Sequence, residues 1–298
     1  MLYEQISSNK HKTWFLISLF SVVIVLLGWA FGNWMGDVYS GISLALIISV
    51  TMSLVGYFKG DAVALTTSGA QRIEKQDNPE LYRIVENLAI AAGLPTPKIY
   101  IMTDVAINAF ATGRDPNHAS IAVTSGALQA LDKQELEGVL SHELSHIGNY
   151  DIRVMTIVVV LVGVILLLSD MMTRSMFFGR GRRSNDNNDN GGIFLIIGIV
   201  LAILSPIFAQ LIKLAVSRQR EYLADASGCL LTRYPEGLVR ALEKISAQDQ
   251  PMAKANHATA HMFLANPFDP HVTKKFEQLF STHPPIEERI RRLKEAGL

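Results

Sequence analysis

The sequence contains a single cysteine, Cys229, in 298 residues. One thiol cannot form an internal disulfide, and it excludes a zinc site built from several cysteines. The formal net charge is also zero, with 27 basic and 27 acidic residues, so the charge balance gives no indication of a nucleic-acid partner. We therefore expect Cys229 to be a small buried hydrophobic side chain and the partners of the protein to be other than nucleic acid.

Charged residues are missing from two long apolar stretches near the start of the chain, residues 14–34 and 38–58. Each has the length, about 20 residues, that a helix needs to cross the hydrocarbon core of a bilayer. The short link "MGD" joins them, so the two predicted helices must form a hairpin. Trp14 and Trp34 flank the first stretch, as aromatic residues do at membrane interfaces. Because no small-residue cleavage site precedes a polar segment, we expect an anchor rather than a cleaved signal peptide.

Basic residues indicate the orientation of this hairpin. Lys10 and Lys12 precede it and Lys59 follows it, whereas the link has none. Because lysine and arginine are enriched in cytoplasmic loops, we expect the N-terminus and the polar segments of the chain to be cytoplasmic.

Two further apolar stretches, residues 154–172 and 193–216, are also long enough to span a membrane. The loop between them, residues 173–192, is rich in Gly, Asn and Asp and reads as flexible. It also contains four arginines: Arg174, Arg180, Arg182 and Arg183. If both stretches span, these arginines lie outside, against the charge rule; the alternative is a re-entrant or peripheral hairpin. On length we predict two spans here and four transmembrane helices in all.

The apolar stretches divide the chain into four parts. Residues 1–58 form the first membrane hairpin and residues 154–216 the second, while residues 59–153 and 217–298 are predicted to be two halves of one catalytic domain. The polar parts contain several helical patterns and short strand patterns at "PKIYIM" and "ASIAV", with "NAFATG" between them as a third strand or a bend. The expected fold class is mainly α with a small β-sheet, an α+β fold.

The segment "HELSH" places two histidines four residues apart near the end of a predicted helix that runs from Asp132 to Gly148. On a helix this spacing puts His142 and His146 on one face, where both can bind one zinc ion. Glu143 follows the first histidine and is positioned to act as a general base toward a water activated by the metal. With 8 histidines and 27 acidic residues in the chain, chance supplies only about 0.02 such motifs.

A second histidine pair, His257 and His261 in "HATAH", has the same spacing without the acidic residue. Chance alone nearly supplies such a pair, so we do not predict a metal there. It offers a control for the first pair.

A catalytic zinc site needs a third protein ligand. Asp151 is close in sequence, but the chain after it continues into an apolar stretch, which makes it the weaker candidate. Glu221 and Asp225 in "REYLAD" are again four residues apart, so one can bind zinc while the other accepts the N–H of a ligand histidine. The alternative interpretation is a solvated acidic face beside Arg218 and Arg220.

Four segments in combination, "HELSH", "REYLAD", "NAFATG" and "THPPIEERIRRL", resemble the HtpX family of membrane-bound zinc metallopeptidases, which is related to the CAAX prenyl endoprotease. The resemblance covers nearly the whole chain and implies a zincin-like metallopeptidase domain with one Zn²⁺ per chain. It assigns His142, His146 and Glu221 as metal ligands, Glu143 as the catalytic base and Asp225 as the acid behind a ligand histidine.

The same resemblance implies where a substrate binds. The segment 108–113, with Asn108, Ala109 and Phe110, matches an edge strand that pairs with an extended peptide. His283 and Arg289 match an element near the zinc that binds substrate or the oxyanion, although His283 is alternatively only the entry to a helix. The segment 255–271 either covers the cleft or contributes its apolar residues to the core or the membrane surface.

The expected function is therefore a membrane-anchored zinc endopeptidase of the bacterial inner membrane. Its partners would be the lipid bilayer and polypeptide substrates, above all misfolded or damaged membrane proteins cleaved at the cytoplasmic face during envelope stress. The alternatives are a processing peptidase of the CAAX prenyl protease type and a zinc-binding transporter or sensor without hydrolysis. The last of these would need ionisable residues in mid-membrane, which the apolar stretches lack.

Overall fold

A computed structural model describes residues 2–178, 217–248, 250–268 and 284–295. The fourth apolar stretch, residues 193–216, lies outside the described residues, as do most of the loop at 173–192 and His283. The described part consists of a long helical hairpin, a helical domain with a small sheet, and a third long helix between them.

The N-terminal hairpin is formed by α1 (Leu2–Met35) and α2 (Val38–Thr67). The two helices approach closely at glycine: a Cβ added to Gly28 would lie 2.7 Å from the carbonyl oxygen of Gly41. Asp37 caps α2 by accepting a hydrogen bond from the Ser40 N–H. Both helices are long and apolar enough to cross a membrane, and their outer faces expose large apolar side chains. These include Phe15, Leu26, Ile47 and Leu54. The two predicted spans of the first hairpin are confirmed as candidate spans.

A four-stranded mixed sheet forms the centre of the domain, in the order β1-β2-β4-β3. Its middle pair, β2 and β4, is parallel, and the two outer pairs are antiparallel. The strands are β1 (Ala70–Arg72), β2 (Lys98–Met102), β3 (Ala109–Gly113) and β4 (Ala119–Thr124). The segment "NAFATG" is thus a strand at one edge, as predicted.

Helix α3 (Pro79–Ala92) and helix α5 (Lys133–Gly148) pack on each other and share one hydrophobic core with the sheet, and the short α4 (Ser125–Ala130) follows β4. Helix α5 begins with a capping box, since the Glu135 N–H donates to Asp132 Oδ1 at 2.9 Å and the Asp132 N–H to Glu135 Oε2 at 2.7 Å. The helix ends at Gly148, as expected, which fixes the two histidines of the motif in its last turns.

Helix α6 (Asp151–Phe178) leaves α5 at an angle of 84°. The corner contains Tyr150 in the left-handed region, with φ 61°. The first half of α6 is buried against α1 and α2 through Val154, Val158 and Leu161. In the described ranges, α1 and α2 qualify as spans by themselves, and a third span is reached only if α5 and α6 are counted together as one bent span. Four transmembrane helices stay a prediction.

Three α-helices follow α6 among the described residues: α7 (Arg218–Thr232), α8 (Pro235–Ser246) and α9 (Ile286–Glu295). Both α7 and α8 pack along α5. A Cβ added to Gly228 on α7 would lie 3.0 Å from the His142 backbone nitrogen, so glycine permits the close approach of α7 to the motif helix. The fold is mostly helical with a small mixed sheet, in agreement with the predicted α+β class.

Candidate metal centre

Three predicted ligands from two helices converge at one buried point. His142 Nε2 and His146 Nε2 on α5 are 3.1 Å apart. Glu221 on α7 brings Oε1 to 3.5 Å from His146 Nε2 and Oε2 to 3.8 Å from His142 Nε2. These atoms all lie within 4.8 Å of one another, and each of the three side chains is buried. Spacing alone left the third ligand open and the family resemblance assigned Glu221; the packing of α7 on α5 brings Glu221 to the histidines.

A carboxylate contacts Nδ1 of each histidine and thereby fixes the orientation of the imidazole ring. His142 Nδ1 lies 2.9 Å from Asp225 Oδ1, and His146 Nδ1 lies 3.1 Å from Asp151 Oδ2. When each Nδ1–H donates to its carboxylate, each Nε2 presents a lone pair to the shared point. Two imidazole nitrogens and one carboxylate oxygen form the donor set of a catalytic zinc site with one position left for water or substrate. The residues present therefore fit a zinc ion.

The electrostatics of the cluster also favour a cation. Burial disfavours a charged imidazole at His146, but the hydrogen bond that its Nδ1–H donates to Asp151 and the charge of Glu221 raise its pKa to about 9. The carboxylates thus stabilise positive charge at this point, and a divalent cation between the two imidazoles satisfies the same carboxylates.

Glu143, the predicted base, is buried beside the ligands. Burial raises its pKa to about 7, although the positive charges of His146 and Arg289 and a hydrogen bond from the Ala111 backbone oppose the shift. A carboxyl group that titrates near neutrality can accept and release a proton with equal ease, as general acid–base catalysis requires.

Arg289 on α9 lies behind Asp225 rather than on an exposed wall of the site. Its Nε and Nη2 donate to the two oxygens of Asp225, and its side chain is fully buried. Its Nη1 is 3.9 Å from Glu221 Oε2. The position near the cluster agrees with the prediction, and the contacts indicate that Arg289 orients Asp225; a contact with substrate stays a prediction.

The predicted substrate strand β3 is buried along its whole length. At its start the Ala109 carbonyl accepts a hydrogen bond of 3.0 Å from the Leu264 N–H. The Asn108 amide bonds to both backbone groups of Ala265, and Phe110 packs edge-on against Phe263. The apolar side chains of the described segment 255–268 thus join the core, one of the alternatives that the sequence left open, and its backbone bonds to the start of β3. A cover over the cleft stays a prediction.

The middle of the β3 edge faces the base. The Thr124 N–H donates to the Asn108 carbonyl, so antiparallel alternation turns the backbone groups of Ala109 and Ala111 away from β4. Ala111 is accordingly the position whose backbone N–H reaches Glu143. An extended peptide lying along this part of the edge would pass next to the base and the ligand cluster.

Two buried polar residues near the centre were not assigned from the sequence. Asp151 was considered only as a weaker metal ligand, and the structure places it behind His146 instead. Asn9 on α1 donates a hydrogen bond of 2.7 Å from Nδ2 to Asp151 Oδ1. The signal for Asp151 is its place at the corner after the motif helix; nothing in the sequence pattern marks Asn9, which is 142 residues away.

The control pair of histidines does not join the cluster. His261 Nε2 lies 3.1 Å from the Met155 carbonyl oxygen, and His257 stacks on Phe268 with ring centroids 4.4 Å apart. The two histidine pairs thus have the same spacing in sequence but lie in different environments in the structure.

Residues 75–297 match the model of peptidase family M48. The chain therefore belongs to this family of metalloproteases, and its long apolar helices make it a membrane metalloprotease. Within the family it is similar to proteins named protease HtpX homolog, which confirms the resemblance found in the sequence.

Two of these relatives illustrate the similarity. The one from Caldanaerobacter subterraneus subsp. tengcongensis is 48% identical over 295 residues, which is 98% of this chain and 97% of the relative. The one from Dictyoglomus thermophilum is 46% identical, with 99% and 95% covered. Among solved structures, S. mikatae Ste24p matches with a TM-score of 0.47 and 18% identity, over 97% of this chain and 66% of that chain.

Proposed function

We propose that the protein is a zinc-dependent endopeptidase that cleaves misfolded or damaged membrane proteins at the cytoplasmic face of the bacterial inner membrane. His142, His146 and Glu221 would hold one Zn²⁺ per chain, and Glu143 is the general base. The observation that carries this proposal is the convergence of three buried acceptor atoms from α5 and α7 beside Glu143. A bound zinc supplies a Lewis acid that polarises the peptide carbonyl and acidifies water.

The side chains of the centre divide the remaining work. Glu143 takes a proton from the attacking water and passes it to the nitrogen of the leaving amine, so that the broken C–N bond ends as a carboxylate and an amine. Burial raises the pKa of this carboxyl above that of an exposed glutamate, which favours its uptake of the proton. Asp225 and Asp151 hold the imidazole rings of His142 and His146 in the orientation that directs Nε2 inward.

The outer edge of β3 is the proposed site of substrate pairing. A peptide in extended conformation adds to an open strand edge through main-chain hydrogen bonds, which are independent of side-chain identity. Because Leu264 already bonds to Ala109, pairing with substrate centres on Ala111, next to Glu143. Asn108 and Phe110 support the strand from behind, and His283 remains a predicted contact of the substrate or the oxyanion.

Contacts between the hairpin and the domain support a location at the membrane surface. Arg153 lies over the rings of Tyr57 and Tyr150, and Arg114 lies over Phe58. These aromatic and basic side chains occur where α2 leaves its apolar stretch, as is usual at a cytoplasmic membrane interface. A site held at this level meets polypeptides that emerge from the bilayer. We retain the four predicted parts of the chain, 1–58, 59–153, 154–216 and 217–298, as part of this proposal.

A reporter experiment tests the proposed function. Cells would produce an unstable membrane protein whose misfolded segment lies in the cytoplasm, together with the wild-type protein or Glu143→Gln. We expect the reporter to disappear only with the wild-type protein, while purified Glu143→Gln retains zinc. The control is the conservative change Glu137→Gln on the partly exposed face of the same helix.

Three outcomes would contradict the proposal. If Glu143→Gln still cleaves the reporter, Glu143 is not the general base. Cleavage restricted to prenylated peptides would favour the processing peptidase, and zinc-dependent transport or signalling without any cleavage would favour the non-hydrolytic alternative.

A further inference from the structure

The corner between α5 and α6 is held by a side chain from the first membrane helix. Asn9, on α1, is 2% exposed. Its Nδ2 donates to the Asn149 carbonyl oxygen at 3.0 Å and to Asp151 Oδ1 at 2.7 Å. One amide group therefore connects the hairpin, which was predicted only to anchor the protein, to both sides of the corner.

The corner requires such support. Tyr150 adopts a φ of 61°, a conformation that residues with a Cβ seldom adopt and that persists when the surrounding structure holds it. This turn of the backbone brings Asp151 back toward His146 although the chain then leaves at 84°. The bonds from Asn9 to Asn149 and Asp151 hold the two residues that flank Tyr150.

Asp151 is fully buried, and its two oxygens have different partners. Oδ2 lies 3.1 Å from His146 Nδ1. Oδ1 accepts the short bond from Asn9 and lies 3.6 Å from Arg220 Nη1. A buried carboxylate is stable only when its oxygens are paired, so the bond from Asn9 both satisfies Oδ1 and fixes the plane in which Oδ2 meets His146.

We propose that Asn9 is a positioning residue of the metal centre. It acts through Asp151 to set the tautomer and orientation of His146, so that the first membrane helix is a component of the site. This inference rests on the proposed role of His146 as a metal ligand. Partners behind ligand histidines typically change metal affinity by about 10–100-fold when removed, and Asn9 stands one bond further out than Asp151.

Zinc affinity of the full-length protein in detergent tests the inference. Competition with a chromophoric chelator gives the zinc dissociation constant for the wild-type protein, Asn9→Ala, Asp151→Asn and the adjacent exposed control Ser8→Ala. We expect zinc to bind about tenfold more weakly in Asn9→Ala and about 10–100-fold more weakly in Asp151→Asn. Ser8→Ala should match the wild type. The Co²⁺ absorption spectrum, which reports ligand geometry, should change in Asn9→Ala and not in Ser8→Ala.

A double-mutant cycle separates positioning from general stability. If Asn9 acts through Asp151, Asn9→Ala causes little further loss of affinity in the Asp151→Asn background. The same tenfold loss in both backgrounds, or unchanged zinc affinity in Asn9→Ala, would overturn the inference. If Asn9→Ala does not accumulate in cells, Asn9→Asp takes its place in the zinc-affinity measurement. This variant keeps the shape of the side chain but places a carboxylate next to Asp151. It should weaken zinc binding further, and unchanged affinity would again overturn the inference.

The failure of this inference can be distinguished from that of the proposed function. A wild-type protein that binds no zinc would overturn the proposed function and the inference with it. If the wild-type protein binds zinc and Asn9→Ala binds it equally tightly, only the inference about Asn9 is overturned.

Discussion

Arg289 and Asp225 form a buried bidentate ion pair, with Nε 2.9 Å from Oδ2 and Nη2 2.6 Å from Oδ1. The Arg289 guanidinium and the bond to His142 hold the pKa of Asp225 at about 2, against the effect of burial. The pair therefore joins three helices, because Arg289 lies on α9, Asp225 on α7 and His142 on α5. The end of the described chain thereby contributes to the orientation of a predicted metal ligand.

Removing Arg289 should destabilise the protein strongly. Arg289→Ala leaves the buried Asp225 carboxylate without its main partner, and we expect a loss of about 3–5 kcal/mol in the free energy of unfolding. Thermal unfolding in detergent measures this. Arg289→Lys keeps the charge but not the two-pronged geometry, so it should be intermediate.

The matched control for that prediction is Arg291→Ala on the same helix. Arg291 is exposed and pairs with Glu288 and Glu295 at the surface, where ion pairs contribute little, about 0–1 kcal/mol. Equal stability of Arg289→Ala and Arg291→Ala would contradict the structural role assigned to the buried pair.

The two histidine pairs should differ in metal binding. His146→Ala removes one of three converging donors, so the zinc content of the purified protein should fall from about one per chain to a small fraction of that. His257→Ala changes a histidine of equal spacing that stacks on Phe268 and should leave the zinc content unchanged. Elemental analysis after desalting decides between them, and zinc loss in His257→Ala alone would refute the assigned ligands.

Proline substitution tests whether a substrate peptide pairs with the backbone of β3 at Ala111. In Ala111→Pro the lost N–H points away from β4, where proline is tolerated in an edge strand. We expect folding and zinc binding to be retained while kcat/KM for peptide cleavage falls by about 100-fold, because the variant loses both the N–H that reaches Glu143 and the proposed main-chain contact with substrate.

Phe110→Pro is the contrasting variant. Its N–H faces β4 in the ladder, so this change should prevent folding rather than only cleavage. Full peptidase activity in Ala111→Pro would show that substrate does not pair at this position.

The orientation of the chain can be read by thiol labelling. Burial raises the pKa of Cys229 to about 11, so the natural cysteine should not react with maleimides. Met35→Cys, at the exposed turn between α1 and α2, should label with a membrane-impermeant maleimide added to intact cells. His118→Cys, exposed on the domain, should label only after lysis, and the reverse pattern would place the domain outside.

The sequence predicted the parts of the site that depend on local geometry. The helix from Asp132 to Gly148 follows from spacing and residue type and is present as expected, and the segment "NAFATG", which its pattern left as a strand or a bend, forms a strand at 109–113. The roles of Glu221 and Asp225 remained open from spacing alone, since they depend on how α7 packs on α5. That packing follows from Gly228, whose missing side chain has no signature in a helical pattern.

Asp151 and Asn9 could not be predicted because their roles depend on a corner and on a distant helix. The apolar stretch after Asp151 suggested that the chain leaves the site, and the positive φ of Tyr150 is what turns it back. A tyrosine rarely adopts this conformation, so the residue type does not predict a positive φ at this position.

The bond between Leu264 and Ala109 has a consequence for selectivity. It shortens the strand edge available to an incoming peptide, so each encounter gains only a few main-chain contacts and little affinity. If substrate pairs with this edge as proposed, the protease would not discriminate by tight recognition. Discrimination would then come from co-residence in two dimensions, because a polypeptide held in the same bilayer has a high effective concentration at the cleft, whereas a folded protein diffusing in solution does not.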